Sequence, residues 1–176
     1  MIVVRRAEPS DAAGLSALLA EVAREPEGWL LEVGAARDAA AERRYLRAVR
    51  RHPDAAVFVA ADGGAVVGRL SLARDPHPAS RHVADLGLMV ARSHRRRGIG
   101  TGLLAQAVVW AGEAGVSKLE LHVFPWNGPA IALYEDFGFL REGLRAGHVR
   151  RGETEVDVIL MAYRLAAGER SPTPPG

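Results

Sequence analysis

The fold class of this chain is decided by the stretch Arg95-Arg96-Arg97-Gly98-Ile99-Gly100-Thr101-Gly102. The apolar run 86–91 precedes it, and apolar residues with helical spacing follow it, namely Leu103, Leu104, Ala107, Val108 and Ala111. A strand, a glycine-rich turn and a helix form an anion site because glycines let successive N–H groups converge, and the helix N-terminus adds about half a positive charge. Arginine adds a full charge and a planar fork that matches phosphate oxygens. The stretch therefore predicts a site for a phosphate-bearing ligand.

Three phosphate-binding patterns can be compared with this turn. A P-loop ends in Gly-Lys-Ser or Gly-Lys-Thr, and the only lysine, Lys118, lies far from the turn, so that pattern is excluded. A dinucleotide fingerprint requires G-x-G-x-x-G directly after a strand and an acid about 20 residues further on. Here the spacing is G-x-G-x-G after three arginines, and Glu120 lies inside a strand pattern rather than at its end. A nucleotide-dependent oxidoreductase stays open as an alternative.

The third pattern is Arg-x-x-Gly-x-Gly, with Arg95, Gly98 and Gly100 at its fixed positions. A second motif, Asn-x-x-Ala-x-x-Leu-Tyr and then Gly-Phe, follows the next strand at residues 127–139. Two motifs in this order, each after its own strand, resemble those of the GNAT superfamily of N-acetyltransferases. The chain around residues 81–90 and 142–162 is similar to the bacterial branch that acts on amino acids and other small molecules. The resemblance covers about residues 2 to 165.

The resemblance implies an α/β (α+β) fold and a bound co-substrate. The expected sheet is mixed and mostly antiparallel, with six or seven strands, helices on both faces, and parallel fourth and fifth strands that splay apart. The expected co-substrate is acetyl-CoA, and the residues that would bind it are Leu88, Met89, Val90, Arg95, Arg96, Arg97, Gly98, Ile99, Gly100, Thr101, Gly102, Asn127, Ala130 and Tyr134. In this family the backbone of the segment 88–90 pairs with the pantetheine arm and supplies an oxyanion donor. One or two of the three arginines are expected to remain solvated, because side chains on a turn cannot all converge.

Acetyl transfer to an amine requires an acid for the departing thiolate and a base for the attacking amine. Tyr134 is the candidate acid, since a phenol can return a proton to a thiolate of similar basicity. Ile131, Tyr134 and Phe137 also form an apolar helical stripe, which is the structural alternative. The candidate bases are Asp85, where relatives often carry an acid, and His122 on the next strand. Three further residues stay open as bases: His82, His148 and Asp157.

Composition restricts the class of protein. The 176 residues are 48% hydrophobic and 25% charged, which predicts one globular domain at residues 1–166 before a disordered, proline-rich tail at 167–176. No secretory signal or membrane-length apolar run is visible, so we expect a cytoplasmic protein, and the arginine-rich, lysine-poor composition suggests a bacterial source. The absence of cysteine excludes a cysteinyl intermediate, and the histidine spacing predicts no metal site. The net charge of +2, with arginines and acids interleaved, predicts no nucleic-acid partner.

The order of the predicted elements is β-α-α-β-β-β-α-β-α-β-β. Strands are predicted at residues 2–7, 55–61, 65–74, 82–91, 118–124, 140–150 and 155–165. Helices are predicted after a cap at Ser10 or Asp11, and at residues 35–51, 100–114 and 129–137. The apolar loop 25–36 is a candidate lid on the substrate side, and the alternative is that it packs Trp29 onto the core.

These expectations together predict an N-acetyltransferase. It would move the acetyl group of acetyl-CoA to a primary amine of a small molecule, such as an amino acid, by direct attack through a tetrahedral intermediate. Two alternatives stay open: a protein N-terminal or ribosomal-protein acetyltransferase, and a non-catalytic acetyl-CoA-binding module. The final strands could supply the interface of a homodimer.

Overall fold

A computed structural model describes residues 1–31 and 38–166, and in this part of the chain the elements follow the predicted order. They are β1 Ile2–Arg6, α1 Ala12–Ala23, α2 Ala39–Arg51, β2 Ala55–Asp62, β3 Ala65–Arg74, β4 Val83–Val90, α3 Ile99–Ala114, β5 Lys118–Val123, α4 Gly128–Phe137, β6 Leu140–Arg151 and β7 Thr154–Arg164. No helix in these two ranges has the length and apolar character that a membrane crossing requires. The predicted tail, and residues 32–36 of the predicted lid, lie outside the described residues.

The strands form one sheet in the order β1-β2-β3-β4-β5-β7-β6. Every neighbouring pair is antiparallel except β4 and β5, which are parallel. The parallel pairing is short, because residues 83–85 pair with residues 118–120 and the strands then part. Beyond that point β4 stays with β3 as far as Val90, and β5 stays with β7 as far as Val123. The predicted mixed sheet with a splayed parallel pair is therefore confirmed.

Strand β2 shows how the helices cover both faces of the sheet. Val57 and Val59 pack in one cluster with Leu15 of α1 and Leu46 of α2. Phe58, which points to the opposite face, belongs to the cluster that contains the buried side of α3. A strand that is covered on both faces carries apolar residues at every position rather than at every second one, which is the pattern seen here.

Helix α3 lies close to the sheet because β3 carries a glycine beneath it. A Cβ atom at Gly68 would lie 3.0 Å from Cγ2 of Ile99 and 3.1 Å from Cδ1 of Leu103. Leu103 and Leu104 are fully buried in this contact. Gly115 ends the helix in the left-handed conformation, with φ of 73°. This packing places the N-terminus of α3 just beyond the end of β4, next to the gap between β4 and β5.

Helix α1 begins at Ala12, directly after the predicted cap residue Asp11, whereas the start of α2 differs from the sequence prediction. Helix α2 begins at Ala39 rather than at residue 35, because the Asp38 carboxylate caps it by accepting the Ala41 N–H at 2.7 Å. Residues 35–37 lie outside the described part of the chain. A short 3-10 turn, Pro9–Asp11, leads into α1, and Asp11 makes no cap bond to that helix. Its carboxylate instead accepts the Glu8 N–H at 2.7 Å and two bonds from Arg5.

Candidate active site

A cleft of about 1020 Å³ opens where β4 and β5 separate. Most residues predicted to bind acetyl-CoA line it: Leu88, Met89, Val90, Arg95, Arg96, Gly98, Ile99, Gly100, Thr101, Asn127, Ala130 and Tyr134. Arg97 and Gly102 are not among the lining residues. Two further lining residues are Asp85 and His122, the predicted bases. The structure thus brings the phosphate-type turn and the three candidate catalytic side chains to one cleft.

The turn between β4 and α3 contains two residues in the left-handed region. Gly98 has φ of 76°, which suits glycine, and Arg96 has φ of 61°, which strains a residue with a side chain by about 1–3 kcal/mol. The first helical hydrogen bond of α3 runs from the Gly102 N–H to the Gly98 carbonyl. The amides that precede this bond are those of residues 99–101, and they are directed to the helix N-terminus. This arrangement can bind an anion.

The three arginines of the turn have different partners. Arg95 donates through Nη1 and Nη2 to both carboxylate oxygens of Glu25, at 2.8 and 2.5 Å. Arg97 turns towards the β2–β3 hairpin, where Nη2 lies 3.6 Å from Oδ2 of Asp62. For Arg96, no ion pair is found among residues 1–31 and 38–166, and its side chain lines the cleft. Of the three, Arg96 is therefore the arginine with a guanidinium available to a ligand.

Gly100 and Gly98 are required in the turn for different reasons. A Cβ atom at Gly100 would lie 2.6 Å from Cδ2 of Leu133 in α4, so the close approach of α3 and α4 already requires a small residue there. A Cβ atom at Gly98 would have no described atom within 4 Å. The space next to Gly98 is therefore open, and this glycine is required by its backbone conformation and not by packing.

Asp85 and His122 meet where the parallel strands part. Asp85 is opposite Glu120 in the last pair of the β4–β5 ladder, and His122 follows two residues later on the same face. Oδ1 of Asp85 lies 3.5 Å from Nδ1 of His122. Nε2 of His122 is buried and has no hydrogen-bond partner among the described residues. A carboxylate next to Nδ1 can orient the imidazole ring.

Other candidate bases and a metal site can be judged from the same geometry. His148 stacks on His122, with ring centroids 5.3 Å apart and planes 26° apart. Asp157 accepts the Gly147 N–H at 2.8 Å and does not line the cleft. His82 lies just before β4, where its carbonyl accepts the N–H groups of residues 117 and 118. Within the described ranges, no group of three or more histidine or carboxylate side chains is arranged to hold a metal ion.

Tyr134 is both a packed residue and a residue of the cleft. Its side chain is 5% exposed, and its ring lies 5.6 Å from that of Phe139. Burial raises the pKa of the Tyr134 phenol above its ordinary value, so the group is protonated at neutral pH. At the start of the same helix, Asn127 caps α4 by accepting the Ala130 N–H at 3.2 Å. The cap uses the side-chain oxygen of Asn127 and leaves its amide NH₂ for another acceptor.

Three charged residues that line the cleft in the described part of the chain were not predicted from the sequence: Glu42 of α2, Arg69 of β3 and Asp136 of α4. Arg69 is 8% exposed, and its Nη1 lies 3.4 Å from Oε1 of Glu42, a residue that is itself 2% exposed. The ladder pairs Arg69 with Met89 and Ala73 with Asp85, so Arg69 and Asp85 lie on the same face of the sheet, opposite α3. A guanidinium has five N–H donors and a carboxylate has two oxygens, so the contact with Glu42 leaves donors for a ligand. The available signal was an arginine within an otherwise apolar strand pattern.

Residues 25–31, which we call the strap, lie across the end of the cleft. The Glu25 carboxylate is 8% exposed and also accepts Nε1–H of Trp29 at 2.8 Å. Burial by itself raises the pKa of Glu25, but the hydrogen bonds and the charge of Arg95 outweigh it and hold the pKa below its usual value. Trp29, Leu30 and Leu31 line the cleft. The described part of the predicted lid is therefore a wall of the cleft.

The family of the chain follows from comparison with known proteins. The model of the family described as "Acetyltransferase (GNAT) family" matches residues 17–139. This chain belongs to the GNAT family. The crystal structure of the acetyltransferase of GNAT family from Streptococcus pneumoniae matches with a TM-score of 0.84 and 27% identity, and the match covers 94% of this chain and 100% of that one. The predicted GNAT fold and family are thereby confirmed.

Two curated relatives differ in the acceptor that their names describe. The L-amino acid N-acetyltransferase AaaT of Escherichia coli (strain K12) is 34% identical over 106 residues, which are 60% of this chain and 65% of that protein. The ribosomal protein bS18-alanine N-acetyltransferase of the same strain is 33% identical over 79 residues, which are 45% of this chain and 53% of that protein. The chain thus spans only 53% to 65% of the length of these relatives.

Proposed function

We propose that this protein transfers the acetyl group of acetyl-CoA to the primary amine of a small carboxylate-bearing molecule, such as an amino acid, by direct attack through a tetrahedral intermediate. The observation that carries this proposal is that Asp85 faces His122 where β4 and β5 part, in the cleft that Tyr134 and the turn also line. Acetyl-CoA would supply the activated thioester. Side chains and amides of this chain would bind it, transfer the protons and stabilise the oxyanion.

The coenzyme side of the proposal is supported by the turn and by the free edge of β4. The amides of residues 99–101 and the side chain of Arg96 would hold the diphosphate, with room for it beside Gly98. The edge of β4 that faces β5 is unpaired after residue 85, so residues 88–90 can pair with the pantetheine arm as a strand would. An amide on this edge would donate to the oxyanion. Arg95 and Arg97 would act through their ion pairs within the protein.

The acid and base would stand on opposite faces of the sheet. Asp85 would hold His122 so that Nε2 takes a proton from the amine, directly or through one water. Tyr134 lies on α4, which packs against α3, and it would protonate the departing sulfur. The amine and the coenzyme therefore approach the gap between β4 and β5 from different sides, which keeps both protons in the correct place for transfer.

The proposed carboxylate on the acceptor is supported by Arg69. This buried guanidinium lies on the face of Asp85 and lines the cleft, and its contact with Glu42 does not use all of its N–H donors. Its fork matches the carboxylate of an amino acid, whose amine would then be directed towards the gap. The name of the relative AaaT describes an acceptor of this class.

The test is coenzyme A release from acetyl-CoA with a panel of amines, followed with a thiol-reactive chromophore. The absence of cysteine means that the protein itself gives no signal. We expect turnover with L-amino acids and much less with the matched amines that lack the carboxylate. Arg69→Lys, which keeps a charge beside Glu42 but removes the fork, should raise KM about tenfold for amino acids and leave KM for the matched amines unchanged. Turnover confined to peptide N-termini would favour a protein acetyltransferase, and coenzyme binding without any turnover would favour a binding module.

A further inference from the structure

The side chain of Arg95 makes three hydrogen bonds within the protein. Besides its two bonds to Glu25, it donates through Nε to the carbonyl of Val90, the last residue of β4, at 3.0 Å. Each nitrogen of the guanidinium thus has a protein acceptor. The group joins the end of β4 to the strap, and its fork is not directed at a phosphate. Its partner Glu25 is a buried carboxylate, whereas the Arg95 side chain is 30% exposed.

The strap is also tied to the opposite wall of the cleft. Nε1–H of Trp126, in the segment between β5 and α4, donates to the Glu27 carbonyl at 3.1 Å. Arg151, the last residue of β6, donates to the Gly28 carbonyl at 3.2 Å. Gly28 has φ of 65°, a backbone conformation that favours glycine, and the guanidinium of Arg151 lies against it. The strap therefore bridges the two walls that separate after residues 85 and 120.

We propose that Arg95 is a positioning residue whose ion pair with Glu25 holds the strap across the cleft, so that the acceptor site is assembled on the same turn that holds the coenzyme. Trp29, Leu30 and Leu31 then form a fixed wall for the acceptor. Because the turn and the strap share this ion pair, coenzyme binding to the turn also orders the strap, and the coupling is reciprocal. The kinetic part of this inference rests on the proposed function, whereas the order of the strap can be measured without turnover.

The chain offers a matched control for this ion pair. Arg5 forms the same two-bond contact with Asp11, at 2.7 and 2.8 Å, and Asp11 is 8% exposed, as is Glu25. Neither Arg5 nor Asp11 lines the cleft. Asp11→Asn therefore removes an arginine–carboxylate ion pair with an equally buried carboxylate, at a place away from the strap. Its effect on the kinetics reports the effect of lost stability alone.

The kinetic experiment compares Glu25→Gln, Arg95→Gln and the double variant with Asp11→Asn. We expect each single variant to raise the acceptor KM about tenfold and to change the dissociation constant of coenzyme A by less than about threefold. The acceptor KM of the double variant should be no higher than that of either single variant. Arg95→Lys keeps the charge but loses the fork, so it should behave like Arg95→Gln. The proposal is overturned if Arg95→Gln weakens coenzyme binding while Glu25→Gln does not, or if Asp11→Asn raises the acceptor KM as much.

The second experiment measures amide hydrogen exchange in peptides that cover the strap, by mass spectrometry. In the unchanged protein we expect slow exchange that coenzyme A slows further, whereas Glu25→Gln should exchange faster and respond less to the coenzyme. Asp11→Asn should resemble the unchanged protein in these peptides. Equal exchange in Glu25→Gln and the unchanged protein would overturn the positioning role. A complete lack of turnover with every amine would refute acetyl transfer, and the exchange experiment would still decide the role of Arg95.

Discussion

The proposed role of Tyr134 can be tested by removing one oxygen atom. Tyr134→Phe keeps the ring, which is 5% exposed and packs 5.6 Å from Phe139, so the hydrophobic contacts survive. The free energy of unfolding should therefore change by no more than about 1 kcal/mol. Loss of a general acid lowers the rate of the chemical step by about 10²–10⁴-fold, which is about 3–5 kcal/mol of transition-state stabilisation. The effect on kcat should thus greatly exceed the effect on stability.

The assay separates catalysis from binding and from packing. Coenzyme A release gives kcat, calorimetry gives the affinity for coenzyme A, and thermal unfolding gives Tm. Tyr163→Phe is the matched control, because the Tyr163 ring belongs to the same aromatic group, 5.5 Å from Phe139, and does not line the cleft. We expect Tyr163→Phe to leave kcat unchanged and Tyr134→Phe to lower it at least about a hundredfold with nearly normal coenzyme affinity.

Two results would refute this reasoning about Tyr134. If Tyr134→Phe kept kcat within about threefold, no proton from the phenol would be needed in the rate-limiting step. If kcat and coenzyme affinity fell by the same factor, the residue would act by shaping the cleft. Because burial raises the pKa of the phenol, the group stays protonated through neutral pH, so neither result can be explained by its ionisation.

Three further predictions concern the base, the turn and the pH dependence of stability. His122→Asn should lower kcat about a hundredfold in the thiol-release assay with unchanged coenzyme affinity, and an unchanged kcat would make His122 a structural residue. Arg96→Gly removes a charge from the cleft and relieves a φ of 61°, so calorimetry should show about tenfold weaker coenzyme binding without a lower Tm; unchanged binding would contradict this. The hydrogen bonds from Arg5 hold the pKa of Asp11 below its ordinary value, so this carboxylate stabilises the fold fully above the ordinary pKa, and the contribution is lost as the pH falls from there through the lowered pKa of the folded state. Denaturant titrations should therefore show a smaller loss of stability in acid for Asp11→Asn than for the unchanged protein, and equal losses would count against the pair.

Local patterns in the sequence predicted the parts of the fold that depend on near neighbours. The glycine-rich turn and the apolar helical period after it predicted α3, and the strand patterns at 55–61 and 65–74 predicted β2 and β3, which pair as an antiparallel hairpin. These signals work because backbone conformation and hydrophobic periodicity are set within a few residues. The errors lie at element ends, as in α2, where the Asp38 cap selects Ala39 as the first helical residue.

In the candidate site, too, local motifs were predicted from the sequence and contacts between distant residues were not. The sequence indicated which segments form the cleft, since β4, the turn and α4 each carry a recognisable motif. It did not reveal the partner of Arg95, because Glu25 is 70 residues away and no local period relates the two. Arg69 was missed for a related reason: its position in β3 predicts only a strand residue, and its place in the cleft follows from the strand order.

The sequence by itself thus determined the order of the elements and the strand–turn–helix that can bind an anion, and it predicted candidate side chains for proton transfer. Only the tertiary structure decided that β4 and β5 part after three paired residues on each strand, that Asp85 then faces His122, and that the strap joins the two walls of the cleft. The physical reason is that contacts between distant segments depend on the path of the whole chain, whereas helices, strands and turns depend on neighbouring residues.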